Sequence, residues 1–230
     1  MRAFFEDSID TAAISHLLTH HPVIIESNLP PVSVQESNDR EPILIGHRFV
    51  LVPAGRIVLP IDAAMAFGSG RHESTQLCLE AMELYVQPGQ TVFDVGCGSG
   101  ILALAALKLG AKTVIGADID EPALAVARRH FPGALVAGSS DCFATSSADI
   151  VLCNITGSVN DRLARQLKRI VRPGGLVIIS GFTTLMAPQC FKPAHTLSLD
   201  DWECWICHPH DITPLSDDAE ENQHKPQWWL

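Results

Sequence analysis

Between Thr91 and Ser180 the chain alternates short apolar runs with stretches of helical periodicity, without interruption. Thr91 to Val95 reads as a strand, Ile101 to Leu109 as an apolar helix closed by Gly110, and Thr113 to Ala117 as a second strand. Glu121 to His130, with Pro122 in its first turn, is predicted to be helical, and Leu135 to Ala137 a third strand. Ile150 to Cys153 has the pattern of a fully buried strand. An amphipathic helix over Val159 to Val171 follows, with Arg162, Arg165, Lys168 and Arg169 on its wet side. Pro173-Gly174-Gly175 then turns the chain into a strand over Leu176 to Ser180. Strand and helix in alternation require parallel strands whose crossovers cover both faces, so the fold class is a doubly wound α/β domain.

The flanks differ. Leu77, Leu79, Met82 and Leu84 mark a helix that stops at Pro88-Gly89, and Ile43 to Val52 reads as extended, with Arg56 to Leu59 as a further short strand. Residues 1–42 carry Pro22, Pro30, Pro31 and Pro42 and read as an extension with one short helix over Thr11 to Thr19. Residues 43–210 form the expected domain. Residues 211–230 form an acidic tail ending in Trp228-Trp229-Leu230, expected to be solvated. With 47% hydrophobic and 18% charged residues the chain can bury a core. Sixteen basic against 26 acidic residues give a net charge of -10, which opposes affinity for phosphate backbones, so no nucleic-acid partner is expected. No run of apolar residues is long enough to span a membrane. Glu6, Asp7 and Asp10 stand where a signal peptide needs positive charge, so the expected location is the cytoplasm, with no membrane partner.

Seven cysteines, an odd number set in apolar segments, read as reduced core thiols rather than a disulfide framework. Cys204, Cys207, His208 and His210 spell part of a haem or zinc motif. In a strand over Trp202 to Cys207, however, residues three apart point to opposite faces, so no metal site is expected.

Ligands of such sheets bind beyond the carboxyl ends of the strands, which directs attention to the first strand-to-helix turn, Asp94-Val95-Gly96-Cys97-Gly98-Ser99-Gly100. Alternate glycines let the backbone turn tightly and approach a ligand, and the next helix offers free N–H groups at its start. The dinucleotide fingerprint has its third glycine one residue later, where this chain has Ile101, and no acid before the glycines, where this chain has Asp94. An acid there suits a ligand with an ammonium group. Asp118, twenty residues beyond Gly98, is placed to accept from both hydroxyls of a ribose. A ribose joined to an amino acid describes S-adenosyl-L-methionine. Asp120 reads instead as a cap for the helix at Glu121.

The segment Ala66-Phe67-Gly68-Ser69-Gly70-Arg71-His72-Glu73-Ser74-Thr75, the turn Asp94 to Gly100, Gly116-Ala117-Asp118-Ile119-Asp120, Cys153-Asn154-Ile155 and Ser180-Gly181 together resemble the PrmA-type ribosomal-protein methyltransferases. These are class I enzymes that use S-adenosylmethionine to methylate amines of a ribosomal protein. The resemblance covers about residues 43 to 208. It implies a seven-stranded sheet whose last strand is antiparallel, and cofactor contacts at Thr75, Gly96, Asp118 and Asn154. Phe67, Asp94, Cys97, Gly98, Gly100 and Ile119 complete the candidate cofactor set, Phe67 as a wall of the pocket. Arg71 and Glu73 stand where the family usually has Thr and Pro, and Thr156 where Leu is common. The first 42 residues are too short for the family's separate recognition domain.

Asn154, after the fourth strand, is the candidate catalytic residue: its side-chain oxygen can accept an N–H and orient a nitrogen lone pair. No Pro-Pro-Tyr follows it, as it does in enzymes acting on planar nitrogens, so an aliphatic amine is expected. His72 in the glycine-rich segment reads as structural or as a base. The expected function is therefore N-methylation of an amine of a protein or peptide. A small-molecule acceptor on the same scaffold and a non-catalytic S-adenosylmethionine-binding subunit are the alternatives.

Overall fold

The computed structural model describes residues 2–3, 24–25, 43–45, 49–52, 55–59 and 71–216. The chain divides into two compact units, Met1–Arg56 and Ile57–Leu230. In the first, Arg2–Ala3 pairs in parallel with Ile24–Ile25, and Ile43–Ile45 pairs antiparallel with Phe49–Leu51. The extended reading of residues 43–52 is thus a short hairpin, whereas Arg56 to Leu59 takes no regular structure. The helix expected over Thr11 to Thr19, the rest of the extension, Phe67 and the tail from Asp217 lie outside the described residues.

The second unit is built on a seven-stranded sheet. In chain order its elements are α1 (Glu73–Tyr85), β1 (Thr91–Val95), α2 (Ile101–Lys108), β2 (Thr113–Asp118), α3 (Glu121–Ala127), β3 (Ala134–Ala137), β4 (Ala148–Asn154), α4 (Gly157–Ile170), β5 (Val171–Thr183), β6 (His195–Leu199) and β7 (Trp202–Cys207). Across the sheet the order is β6-β7-β5-β4-β1-β2-β3. Strands β1 to β5 pair in parallel, and β7 runs antiparallel to both β5 and β6. The doubly wound fold and the antiparallel last strand are as expected.

Alternating side chains divide the core by sheet face. Val92, Ile150, Leu152 and Ile178 join Leu77 and Met82 of α1 on one side. Their neighbours Phe93, Val151, Cys153 and Ile179 join Leu167 and Ile170 of α4 on the other. This period-two division is what a sheet covered on both faces requires. Cys204 belongs to the first cluster and Cys207 to the second, so the two thiols face away from each other. None of the seven cysteines forms a disulfide, and six are buried; Cys142 is exposed, against the expectation that all lie in the core.

Boundaries shift for physical reasons. The helix expected to reach His130 ends at Ala127, and Arg129 and His130 close tighter turns ahead of Phe131-Pro132, where a residue preceding proline disfavours helix. Strand β5 starts at Val171 rather than Leu176. Its register to β4 jumps from Ala148–Val171 to Ile150–Leu176, so Pro173-Gly174-Gly175 forms a bulge within the strand, not a turn before it. Asp149 secures the bulge, pairing with Arg172 and accepting the Thr91 N–H at 2.7 Å.

Candidate active site

The sheet order reverses beside β1: the chain moves outward through β2 and β3, then returns to β4 on the other side. A crevice opens at the carboxyl ends of strands where such a reversal occurs. The glycine turn leaves β1 and Asn154 ends β4, so both stand at this point. Thr75 reaches it from the first turn of α1.

The turn is held by its neighbours. Gly96, Gly98 and Gly100 all take positive φ, at 71°, 52° and 76°. Gly96 and Cys97 donate to the Ala117 carbonyl at 2.8 and 3.0 Å. Asp118 accepts from Gly98 N through one oxygen at 2.8 Å and from Asp120 N through the other at 2.9 Å. A carboxylate offers about four lone-pair sites, so two remain. Ile119 beside it is 81% exposed. Asp120 stands at the N-cap of α3, yet its side chain makes no capping bond.

Asp94 has a different environment. It is 1% exposed, and one carboxylate oxygen accepts the Ala103 N–H at 3.1 Å. Gly100, the N-cap of α2, has no side chain to cap that helix, so Asp94 supplies the acceptor from the strand. Its other oxygen is buried with no partner. Burial pushes the Asp94 carboxyl up to about 7; the Ala103 N–H pulls it back and the nearby Asp118 charge adds to the rise. Burial likewise raises the Cys97 thiol, which stays neutral and inert.

Asn154 donates from Nδ2 to Thr75 Oγ1 at 3.3 Å, while its Oδ1 is buried without a partner. His72 is committed elsewhere. Its Nδ1 accepts from Ser74 N at 3.3 Å as the N-cap of α1, lies 2.8 Å from Ser74 Oγ, and its ring meets Trp202 edge-on at 4.4 Å. The base reading of His72 therefore loses to the structural one.

The structure thus brings Thr75, Asp94, Gly96, Cys97, Gly98, Gly100, Asp118, Ile119 and Asn154 to one end of the sheet, while Phe67 lies outside the described residues. Two observations fit an S-adenosyl ligand. The orphaned oxygens of Asp94 and Asn154 are acceptors awaiting donors. A Cβ added at Gly98 would meet nothing within 4 Å, so the turn borders open space.

Sequence reading gave no role to Ile155 or Asn160. Ile155 is wedged between glycines: a Cβ on Gly96 would lie 2.9 Å from its Cγ2, and one on Gly181 2.4 Å from its carbonyl oxygen. Asn160 interrupts the buried stripe of α4 formed with Ala164, Leu167 and Ile170, a signal visible in the sequence as one polar residue at an apolar position. Gly181 sits at φ 92°, in the left-handed region, and the atom its Cβ would strike is backbone. Gly181→Ala is expected to lower unfolding stability by about 2 kcal/mol or more, whereas Gly98→Ala, strained only by its φ, is expected to cost about 1 kcal/mol. Equal urea midpoints for the two variants would contradict this ranking.

The sequence matches the family described as Ribosomal protein L11 methyltransferase (PrmA) over residues 33–205. Ribosomal protein L11 methyltransferases of Paraburkholderia xenovorans (strain LB400) and Burkholderia multivorans (strain ATCC 17616 / 249) are each 38% identical over 181 residues, covering 73% of this chain and 60% of theirs. The chain thus spans about 60% of the length of these relatives. Among solved structures, ribosomal protein L11 methylase from Lactobacillus delbrueckii subsp. bulgaricus superposes with a TM-score of 0.56 at 30% identity, over 60% of this chain and 79% of that one. An RNA methyltransferase from Salinibacter ruber in complex with S-adenosyl-L-homocysteine shares the fold, at 20% identity and a TM-score of 0.50, over 62% of this chain and 95% of that one. With three quarters of its length matched, the chain belongs to the ribosomal protein L11 methyltransferase (PrmA) family.

Proposed function

We propose that the protein is an S-adenosylmethionine-dependent methyltransferase that N-methylates an aliphatic amine of a protein or peptide. The observation that carries this reading is the meeting, at the reversal of the sheet, of a glycine turn, the carboxylates of Asp94 and Asp118, and an amide whose buried oxygen lacks a donor. Asp94 would hold the ligand's ammonium group. The free lone pairs of Asp118 would take the ribose hydroxyls, with the exposed Ile119 as an apolar surface for the base. The cofactor supplies an electrophilic methyl group on a sulfonium.

The chain's own task is then to place a neutral nitrogen in line and to keep water out. Asn154 Oδ1 accepts one N–H of the incoming amine, while its Nδ2 is held by the Thr75 hydroxyl. This directs the nitrogen lone pair. No strong base is required when the amine arrives uncharged, which agrees with the commitment of His72 to capping. The family's named substrate, ribosomal protein L11, is the first acceptor to try. Among the described residues no helix is long and apolar enough to cross a membrane.

The test is incubation with methyl-labelled S-adenosylmethionine and either ribosomal protein L11 or a cell extract separated into protein and small-molecule fractions. Label in protein supports the reading. Label only in small molecules moves the acceptor class, and label in neither fraction favours a non-catalytic binding subunit. S-adenosylhomocysteine is also expected to raise the melting temperature while NAD does not, since a ligand selective for the folded state stabilises it. Asp118→Ala is expected to weaken S-adenosylhomocysteine binding by roughly 1.5 to 3 kcal/mol, the scale of charge-assisted hydrogen bonds. Unchanged affinity in a titration would remove Asp118 from the site.

A further inference from the structure

We propose that Asn160 is a positioning residue for methyl transfer, holding Asn154 in place through the backbone of Ile155; this rests on the reading of Asn154 given above. Asn160 is fully buried in the second turn of α4. Its Nδ2 donates to the Ile155 carbonyl at 2.9 Å and to the Ser180 carbonyl at 3.2 Å. Both neighbours are acceptors only, so the nitrogen must face them and the orientation of the amide is settled by chemistry. The Ser180 carbonyl also accepts the Ile155 N–H at 3.1 Å.

Both peptide groups that flank the Ile155 Cα are therefore tied to one place at the end of β5. The first of them is joined directly to the Asn154 Cα, so its orientation sets the backbone angle from which the Asn154 side chain departs. Close packing completes the frame. Gly181 lies against the Ile155 backbone, and a Cβ on Gly157, the first residue of α4, would strike the Met186 carbonyl.

Asn160 is not the choice that packing alone favours. Its Oδ1 is buried with no partner, which disfavours the fold, in a stripe that is otherwise Ala164, Leu167 and Ile170. What the residue contributes is its donors. Without them the Ile155 carbonyl loses its partner, and the link between Asn154 and α4 is released from β5 on one side.

The experiment compares two ligands, so that no acceptor need be known. S-adenosylhomocysteine carries nothing at the methyl position, whereas sinefungin carries an amine there and so probes the Asn154 oxygen. The ratio of their affinities is measured by calorimetry in the wild type, Asn154→Ala, Asn160→Leu and the double variant. The preference for sinefungin is expected to fall about tenfold in each single variant and no further in the double, the mark of two residues acting as one unit. Asn160→Ser, smaller and still a donor, is expected to fall part of the way and serves if the leucine variant does not fold. A purely structural Asn160 would lower the melting temperature and leave the ratio at its wild-type value, which would overturn the proposal. Should the wild type bind neither ligand, or Asn154→Ala keep the wild-type ratio, the underlying reading of the site fails and the proposal falls with it.

Discussion

Asp94→Asn is expected to stabilise the ligand-free protein at pH 8 and to weaken its hold on an S-adenosyl ligand. Burial raises the Asp94 carboxyl to about 7, against an ordinary value of 3.8. Between those values the folded state binds a proton that the unfolded chain has released, so stability falls as pH rises through this window. It is highest below about 4, and the penalty is complete above about 7. Three pKa units correspond to roughly 4 kcal/mol. Asparagine keeps an acceptor for the Ala103 N–H but never ionises, so the variant should escape most of that penalty. Binding should change in the opposite direction. An ammonium group selects the ionised carboxylate, so wild-type affinity for S-adenosylhomocysteine should fall as pH drops through about 7, while the variant's affinity should be lower and flat. The measurement is urea denaturation and ligand titration of both proteins from pH 5 to pH 8. A stability difference between them that does not grow with pH would show that Asp94 is not strained by its burial.

A residue that destabilises the empty fold is one mark of a binding site, and it explains which parts of this protein the sequence revealed. The parallel core was legible because Val92, Ile150, Leu152 and Ile178 are buried between two layers and must be apolar whatever their partners. Strand β6 left no such trace: His195, Thr196 and Ser198 are exposed at the sheet edge, where packing places little demand on residue type. The bulge in β5 was hidden because Pro173-Gly174-Gly175 has the composition of a turn, and only the pairing with β4 reveals a strand running through it. At the site, Asp94 and Asp118 stood out as acids closing apolar strands, and the glycines by their alternate spacing in the turn between strand and helix. Ile155 and Gly181 meet across distant segments, which no local pattern encodes, whereas Asn160 left one sign, a polar residue in the apolar stripe of α4, without the partners that explain it.

Asn154→Ala is expected to lower turnover by on the order of 10²-fold, since a misdirected nucleophile is costly even when every other contact survives. Affinity for S-adenosylhomocysteine should change far less, by about 1.5 kcal/mol at most, because the lost interaction matters chiefly as the nitrogen attacks. Aspartate is the sharper probe. It has nearly the same size and keeps an acceptor, but adds a charge and removes the donor now facing Thr75 Oγ1 at 3.3 Å. The Thr75 hydroxyl can itself donate, so the contact to α1 can survive with its direction reversed. If Asn154 acts only by accepting from the amine, Asn154→Asp should retain more activity than Asn154→Ala, and adding Thr75→Val should abolish the advantage. An aspartate variant as slow as alanine would mean that an acceptor alone is not enough and that the neutral amide is required. Wild-type turnover in both variants would deny Asn154 any part in the chemistry and leave the choice of an amine acceptor without a residue to support it.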